Sequence, residues 1–431
     1  MNKQTVTIFW FRRDLRLEDN VGLFQALQSG FPVLPVFIFD DAILDSLPNT
    51  DPRVGFIHQS LAAIATQLQQ IGSSLWIQKG NTAVVWQQLI NEFDVNQVFY
   101  NKDYEPYAIA RDKTINSLLA ANAAAVHACK DQVIFEESEI TKADGLPYTV
   151  YTPYKNKWLE KFHSNAPITQ YDCAAHFSNF YKSTFQFPNL EQIGFVKSGI
   201  QVKPHNLTKI ANYHQTRDFP AMDTTSYLSP HLRFGTVSVR KLVHWAAQKN
   251  AVFLSELIWR EFFMQILYHF PRVLTNNFKT AYDGIAWRNK EEDFKRWCTG
   301  TTGYPMVDAG MRQLNQTGYM HNRVRMVVAS FLCKHLLIQW QWGEAYFAEK
   351  LLDYELSSNV GNWQWAAGTG CDAAPYFRVF NPEIQLKKFD PEGIYVHRWI
   401  PELDLEYGQP MVAHAMARDR AIATYKAGIV K

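Results

Sequence analysis

TVTIFWF, residues 5–11, is a short run of apolar, β-branched and aromatic residues, and this pattern predicts a buried strand. Similar short runs follow at residues 32–39, 73–78 and 97–100. Helical patterns lie between these runs, as in IHQSLAAIATQLQQIG at residues 57–72, where apolar residues recur with helical spacing. Because strands and helices alternate, we expect an α/β domain whose parallel sheet is covered by helices on both faces.

This α/β region has no sequence signature of a common nucleotide-binding loop. No G-x-G-x-x-G follows the first strand, and no G-x-x-x-x-G-K-[ST] occurs anywhere in the chain. A dinucleotide or triphosphate cradle is therefore not predicted in this region.

The pattern changes twice further along the chain. From about residue 131 to 204 the periodicity fades, which predicts a connector, and from about 205 to 431 helix-length segments alternate with Gly and Pro stops. Aromatic residues make up 14% of the chain, and nine of its 13 Trp follow residue 240. The aromatic excess thus belongs to the helical region.

The bulk composition limits the class of protein. Formal net charge is only +2 over 431 residues, so a nucleic-acid site must be a local basic patch. The five Cys are scattered and form no C-x-x-C, which indicates free thiols in a reducing compartment and predicts no metal site. No apolar stretch approaches the length of a membrane span. We therefore expect a cytoplasmic protein with no membrane partner.

The segment TTSYLSPHL, residues 224–232, has the composition of a helix start. Ser229 suits an N-cap and Pro230 suits the first helical position. The hydroxyls of Thr225 and Ser226 next to a helix N-terminus would suit the diphosphate of a cofactor. Most such sequences are only helix caps, and both interpretations stay open at this point.

The segment ELIWREFFMQIL, residues 256–267, predicts a helix with Glu256, Trp259 and Phe263 on one face. Glu256 is spaced to form an ordinary surface ion pair with Arg260. The apolar neighbours favour burial instead, and a buried carboxylate needs a partner or a function.

The segment GYMHNRVRMVVASFLCKHLL, residues 318–337, predicts another helix. Asn322, Met326 and Ala329 line up on one face, with Arg325 beside them. The Asn322 amide is able to bind the edge of a base or of a flavin, and the alternative is a core Asn with ordinary partners.

Six segments together resemble the cryptochrome/photolyase family. They are IFWFRRDLRLEDN (8–20), TSYLSPHL (225–232), ELIWREF (256–262), TGYPMVDAGMRQL (302–314), TGYMHNRVRM (317–326) and NVGNWQWAAGTGCDAAPYFRVFNP (359–382). The likeness runs from residue 5 to about 403, and the chain is most similar to the bacterial class I cyclobutane pyrimidine dimer DNA photolyases.

This resemblance implies a domain organisation and a reaction. A Rossmann-like α/β antenna domain (1–130), a connector (131–204) and an all-helical domain that binds FAD and DNA (205–431) are expected. The reaction is light-driven DNA repair, in which an electron passes from photoexcited reduced FAD to a flipped-out dimer and splits it into two pyrimidines. The implied partner is UV-damaged DNA, and the protein is expected to act as a monomer.

The resemblance also implies which residues bind the cofactor. Those expected at the FAD diphosphate and ribityl chain are Tyr213, Thr225, Ser226, Tyr227, Leu228 and Ser229. Arg325 and Asp353 match the pair beside the isoalloxazine, and Asn359 matches the residue that faces flavin N5. Glu355 stands on the adenine side, where Asp is more usual.

The resemblance assigns further residues to the lesion, to DNA and to electron transfer. Glu256 and Asn322 match residues that hydrogen-bond the flipped pyrimidines. Trp259 and Trp365 match the rings that wall the lesion pocket, and Met326 matches a residue that contacts the bases. The DNA-facing positions also include Arg217, Arg323, Arg378 and Gln385. The chain that relays an electron to the flavin matches Trp363, Trp340 and Trp287.

Three questions stay open in the sequence. Tyr107 and Ala108 stand where folate-binding members carry an Asn-Glu pair, so a folate antenna is in doubt, and a deazaflavin, a second flavin or no antenna remain alternatives. A cryptochrome photoreceptor without repair activity would share the fold and the flavin. A (6-4) photolyase would carry His rather than Asn at position 322.

Overall fold

The computed structural model describes residues 3–164, 168–405 and 407–429. The strands are β1 (Thr5–Phe11), β2 (Val33–Asp40), β3 (Trp76–Gly80), β4 (Asp94–Asn101) and β5 (Ala125–Cys129). The helices are α1 (Val21–Leu27), α2 (Asp41–Leu44), α3 (Pro52–Gln70), α4 (Thr82–Glu92), α5 (Pro106–Ala121), α6 (Tyr151–Ser164), α7 (Tyr213–Thr216), α8 (Leu228–Arg233), α9 (Val239–Lys249), α10 (Ala251–His269), α11 (Glu291–Thr299), α12 (Pro305–Thr317), α13 (Asn322–Ser330), α14 (Trp340–Lys350), α15 (Leu356–Ala367), α16 (Pro382–Phe389), α17 (Ile394–Trp399) and α18 (His414–Ala427).

The strands form a parallel sheet in the order β3-β2-β1-β4-β5. In the central strand, Phe9 is aligned with Pro35 of β2 and with Phe99 of β4. The edge strand β5 was not evident from the sequence, because most of its residues are exposed and it lacks a continuous apolar run. The predicted α/β fold with a parallel sheet is confirmed.

The two faces of the sheet pack against different helices. Phe9 and Phe11 of β1 belong to one apolar cluster with residues of α1 and α3. Ile8 and Trp10, the alternate residues, belong to another cluster with residues of α4 and α5. Because successive side chains of a strand point to opposite faces, the all-apolar run of β1 reflects burial on both sides.

The described chain forms two compact units. The first contains the sheet and comprises the chain up to Glu136, His163–Pro204 and Leu228–Gln248. The second is helical and comprises Glu137–Phe162, His205–Tyr227 and the chain from Lys249 onward. The units differ from the three predicted segments. Glu137–Phe162 of the predicted connector belongs to the helical unit, and Leu228–Gln248 of the predicted helical domain belongs to the unit with the sheet.

Helix α6 lies within the predicted connector. Its inner face consists of Tyr151, Tyr154 and Trp158, all of which are buried. The Trp158 indole donates a hydrogen bond to Oε1 of Glu261 in α10, at 2.7 Å. These large aromatic side chains make this part of the connector a packed element of the helical unit rather than a surface loop.

Two glycines allow helices of the second unit to approach closely. A Cβ on Gly343 of α14 would come 2.1 Å from the ring of Trp363 in α15. A Cβ on Gly361 of α15 would come 2.2 Å from the ring of Phe263 in α10. The predicted helical architecture of this part of the chain is confirmed. Within the described residues, no helix is long and apolar enough to cross a bilayer.

The helix predicted over residues 318–337 is shorter and less regular in the structure. It begins at Asn322, because the His321 ring accepts a hydrogen bond from the backbone N–H of Arg323 and so caps the first turn. After α13 the chain forms a π-helical turn, Phe331–His335, and Leu337 then adopts a positive φ of 51°. This irregular turn ends the helix before Trp340 begins α14.

Candidate functional site

The helical unit contains a cleft between α13 and α15. Its lining includes eight of the residues that the sequence proposed for the site: Asn322, Arg325, Met326, Asp353, Glu355, Asn359, Trp363 and Trp365. Ligand pockets in proteins usually combine apolar walls with a few polar groups. The cleft therefore has the lining of a binding site for an organic cofactor or substrate.

An ion pair lies at the cleft between α13 and the segment before α15. Arg325 donates through Nη2 to both carboxylate oxygens of Asp353, at 3.2 and 2.9 Å, and through Nε to the carbonyl of Met320 at 2.8 Å. Asp353 is almost fully buried, whereas the Arg325 side chain is 28% exposed. Asp353 thus fixes the orientation of the Arg325 guanidinium, whose remaining N–H groups can serve a ligand in the cleft. This arrangement suits the pair that was predicted beside a flavin ring.

The amide of Asn359 is held by Glu344, which was not among the residues predicted from the sequence. Its Nδ2 donates to the backbone carbonyl of Glu344 at 3.0 Å and to Oε1 of Glu344 at 2.9 Å. Burial raises the pKa of the Glu344 carboxyl, and the bond from Asn359 opposes that shift. Both Nδ2 bonds of Asn359 thus go to Glu344, and Asn359 itself lines the cleft. The only sequence signal for Glu344 is that it is an acidic residue in a helix rich in aromatic residues.

Glu355 and Arg260 form a buried ion pair, with Oε2 and Nε 3.2 Å apart. This pairing contradicts the simple alternative in which Arg260 pairs with Glu256 one turn earlier. Glu355 precedes α15 and Arg260 lies on α10, so the pair joins two helices that a local sequence rule does not connect.

Glu256 pairs instead with Arg217. Arg217 Nη1 lies 2.6 Å from Glu256 Oε1, and both side chains are partly exposed. The adjacent residue, Asp218, accepts a hydrogen bond from Nη2 of Arg323 at 2.6 Å. Asp218 was not among the residues predicted from the sequence, although its position next to Arg217 was a signal. Arg217 and Arg323, both predicted to face DNA, thus each contact a carboxylate.

Trp259 packs among aromatic rings and does not line the cleft described above. Tyr151 of α6 stacks on its indole with ring centroids 3.5 Å apart, and Phe263 lies at 5.4 Å. Glu256, one turn earlier on α10, is also outside the lining of this cleft. Trp365 does line it, so the structure brings together one of the two predicted lesion walls with Asn322 and Met326.

The three tryptophans predicted to relay an electron all lie in the helical unit. Trp340 and Trp363 belong to its apolar core, and the partly buried Trp287 packs against that core. The Trp340 indole donates to Oδ1 of Asn277 at 2.9 Å. Trp363 contacts Trp297 at a centroid distance of 6.1 Å, and Trp287 contacts Tyr425 at 5.7 Å. Their role in electron transfer stays a prediction.

The residues predicted at the FAD diphosphate lie along residues 213–229. Tyr213 packs edge-on against Phe253 at 5.3 Å, and burial raises the pKa of its hydroxyl. Thr225 is exposed, and the Ser226 carbonyl accepts a bond from the Asn206 N–H at 2.9 Å. Tyr227 has a positive φ of 55° and donates its hydroxyl proton to Asp223.

Leu228 and Ser229 belong to the unit that contains the sheet. Helix α8 begins at Leu228, so Ser229 is the second helical residue and the prediction that it caps the helix is wrong. Pro230 is the third helical residue rather than the first. It is accommodated there because the N–H groups of a first turn have no intrahelical partner.

Arg378 and Gln385 lie on the segment that follows α15 and on α16. Arg378 is exposed, with its guanidinium 5.3 Å from the ring centroid of Phe380. Gln385 is partly exposed on α16, which also carries the exposed Lys387 and Lys388. These positions agree with a basic surface that is local, as the near-zero net charge requires.

The residues at the cleft fit a flavin. A planar heteroaromatic ring needs flat apolar contacts and a few donors and acceptors at its edge, and the cleft supplies Trp363, Trp365 and Met326 beside the Asn359 amide and the Arg325 guanidinium. The Arg325 guanidinium, which lines the cleft, would stabilise the negative charge of a reduced, anionic ring.

Comparison with known proteins identifies one family along almost the whole chain. Residues 7–172 match the family described as DNA photolyase, and residues 253–405 match the FAD binding domain of DNA photolyase. A deoxyribodipyrimidine photo-lyase of Agrobacterium fabrum is 36% identical, over 99% of this chain and 98% of the relative.

Two solved structures are similar over nearly their full length. A bacterial class III photolyase from Agrobacterium tumefaciens has a TM-score of 0.87 and 35% identity, covering 99% of this chain and 98% of that chain. An archaeal photolyase from Sulfolobus tokodaii with two FAD molecules has a TM-score of 0.82 and 34% identity, covering 98% and 99%.

Proposed function

The chain belongs to the DNA photolyase family, and from that membership we propose that it is a deoxyribodipyrimidine photo-lyase that uses light to split cyclobutane pyrimidine dimers in UV-damaged DNA. The observation that carries this proposal is the cleft of the helical unit. There the proposed lesion residues Asn322, Met326 and Trp365 meet the proposed flavin residues Arg325, Asp353 and Asn359.

FAD is the cofactor of this family, and in this chain Arg325, Asp353 and Asn359 would hold its ring. When bound, FAD supplies the photoexcited electron on which repair depends. The protein's own contribution is to orient the ring through the Arg325 donors and the Asn359 carbonyl. The apolar side chains of Trp363 and Met326 exclude water from the same cleft.

The lesion residues must bind a dimer that has left the duplex. Extruding a base from the stack costs a few kcal/mol, and less for a damaged base that pairs poorly. Trp365 and Met326 offer apolar contact to the extruded pyrimidines, and the Asn322 amide offers donors and an acceptor to their edges. Glu256 on α10 is proposed to add a further hydrogen bond to the pyrimidines.

Several finer assignments are part of the same proposal. We assign the chain to the class I branch, the region 1–130 to an antenna domain and the region 205–431 to the FAD and DNA domain, with a monomer as the active form and the cytoplasm as its location. A second chromophore is proposed for the antenna domain, and its chemical identity stays open. The related archaeal photolyase with two FAD molecules makes a second flavin one candidate.

The test is blue-light repair by the purified, reduced protein. Oligonucleotides that contain either a cyclobutane dimer or a (6-4) product are illuminated separately, and the repaired strands are counted. Repair of the dimer alone is expected. Repair of neither lesion by flavin-loaded protein would favour a photoreceptor, and repair of only the (6-4) product would favour the other photolyase branch.

A further inference from the structure

Four charged side chains alternate in sign across one surface of the helical unit. In order they are Glu256, Arg217, Asp218 and Arg323, and we call them the charge row. Arg217 lies 2.6 Å from Glu256 and 4.0 Å from Asp218, and Arg323 lies 2.6 Å from Asp218. The charges of the row sum to zero, although both of its cations are proposed to face DNA.

Asp218 occupies the centre of the charge row. Its Oδ1 is the atom that approaches both Arg217 and Arg323. It is also the most exposed side chain of the four, at 37%. An oxyanion between two guanidinium groups is the arrangement by which arginines bind a phosphate.

The two arginines do not depend on Asp218 for their position. The Arg323 guanidinium lies 4.3 Å from the ring centroid of Phe389, and its Nη1 is 3.6 Å from Sδ of Met326. The Arg217 guanidinium lies 5.2 Å from the ring centroid of Tyr213 and is paired with Glu256. Removing the Asp218 charge should therefore leave both cations in place and uncover a net positive charge.

We propose that the Asp218 carboxylate is an internal substitute for a DNA phosphate. It occupies the position between Arg217 and Arg323 that a backbone phosphate takes when DNA binds, and it competes with that phosphate for both cations. The competition weakens binding to damaged and undamaged DNA by the same factor, because the backbone phosphate is common to both. This inference rests on the proposed function, in which Arg217 and Arg323 face DNA.

The test is Asp218→Asn in the full-length, FAD-loaded protein. The matched control is Asp419→Asn, which removes the same charge from an exposed carboxylate of α18 that pairs with Arg418. Dissociation constants are measured for a dimer-containing duplex and for its undamaged counterpart at several salt concentrations between about 50 and 200 mM.

Asp218→Asn is expected to bind both duplexes roughly fivefold more tightly at low salt, since one repulsive charge near a phosphate is removed. The dependence of log K on log salt should steepen by about 0.9, the slope of one further phosphate contact. Asp419→Asn should match the wild-type protein in both quantities, and the ratio of the two affinities should be unchanged in either variant.

Unchanged or weaker binding by Asp218→Asn with a normal flavin content would overturn the proposal, and so would a gain confined to the dimer. A wild-type protein that neither prefers nor repairs dimer-containing DNA would instead refute the proposed function, and the inference with it. The flavin absorbance of each preparation separates a folding defect from these outcomes.

Discussion

The phenol ring of Tyr151 stacks on the indole of Trp259, with ring centroids 3.5 Å apart and an angle of 10° between the planes. The Tyr151 hydroxyl donates a hydrogen bond to the Ser255 carbonyl at 2.6 Å, which fixes the orientation of the ring. One face of the indole is therefore covered by the protein itself. If Trp259 walls the lesion pocket as proposed, Tyr151 determines which part of the indole can contact a dimer.

Tyr151→Ala should weaken binding of dimer-containing DNA by roughly threefold to tenfold, the range expected for the loss of one aromatic pair. Binding of undamaged DNA and the flavin content should stay at wild-type levels, because Tyr151 is not proposed to contact either ligand. Tyr151→Phe keeps the stacked ring and should bind like the wild-type protein. Equal defects in the two variants would assign the effect to the hydroxyl instead of the stack.

Asp353→Asn should weaken FAD binding by about tenfold, the loss expected when a charge-assisted pair becomes a neutral one. Arg325 would lose the carboxylate that orients it at 2.9 Å, while the side-chain volume stays the same. The measurement is FAD fluorescence during equilibrium dialysis. Glu349→Gln, which neutralises an exposed carboxylate paired with Lys350, is the control and should retain the wild-type affinity.

Trp287→Phe should abolish stable photoreduction of oxidised FAD and leave dimer repair by pre-reduced protein intact. Trp287 is partly buried and packs against the core that contains Trp340 and Trp363, so a smaller aromatic ring is tolerated there. Flavin absorbance under blue light with an external reductant follows the first reaction, and repaired oligonucleotide follows the second. Photoreduction at the wild-type rate would show that Trp287 has only a structural role.

Lys334 gives the protein a pH-dependent contribution to stability. Its Nζ is buried and donates to the carbonyls of Ala367 at 2.7 Å and Tyr376 at 3.2 Å. Burial lowers the pKa of Lys334 from 10.5 to about 7. Between these two values the unfolded chain binds the proton and the folded protein does not. Raising the pH through this window therefore stabilises the folded state, by at most about 1.4 kcal/mol per pH unit.

Lys334→Met removes this titration and two hydrogen bonds. The variant should be less stable throughout, and the deficit relative to the wild-type protein should grow as pH rises from about 7 to about 9. Chemical denaturation of the flavin-loaded proteins at several pH values measures the difference in the free energy of unfolding. A deficit that is constant or shrinks over this range would show that Lys334 does not release its proton on folding.

The sequence was sufficient for four of the five strands and for one face of the cleft. The buried strand β1 and the helix α3 carry periodic apolar patterns, which depend only on local neighbours. Asn322, Arg325 and Met326 follow each other on one turn of α13, so their shared face could be predicted from spacing.

The contacts that complete the site join residues far apart in the chain, and spacing cannot predict them. Glu344 holds Asn359 from a neighbouring helix, and Tyr151 reaches Trp259 from a stretch whose periodicity suggested a connector. Helix α8 also begins two residues earlier than predicted, at Leu228 rather than at Pro230. Tertiary packing decides these positions more than local propensity does.

The lesion that the protein repairs depends on whether an acid is available beside Asn322. A (6-4) product needs a proton to be moved during repair, and a histidine is able to supply it near neutral pH. His321 is adjacent in sequence, but burial lowers its pKa to about 4. Its Nδ1 is also occupied, because it accepts the Arg323 N–H at 3.2 Å.

His321 is therefore neutral near pH 7 and acts as a helix cap, and the Asn322 amide offers hydrogen bonds but no proton. We expect repair of cyclobutane dimers and none of (6-4) products. Asn322→His should reduce dimer repair by about tenfold or more, because a bidentate amide is lost. It should create no (6-4) activity, since that reaction needs a pocket shaped for its product as well as an acid. Assays of both lesions with wild-type and variant protein decide the matter, and (6-4) repair by the wild-type protein would require a proton donor other than His321.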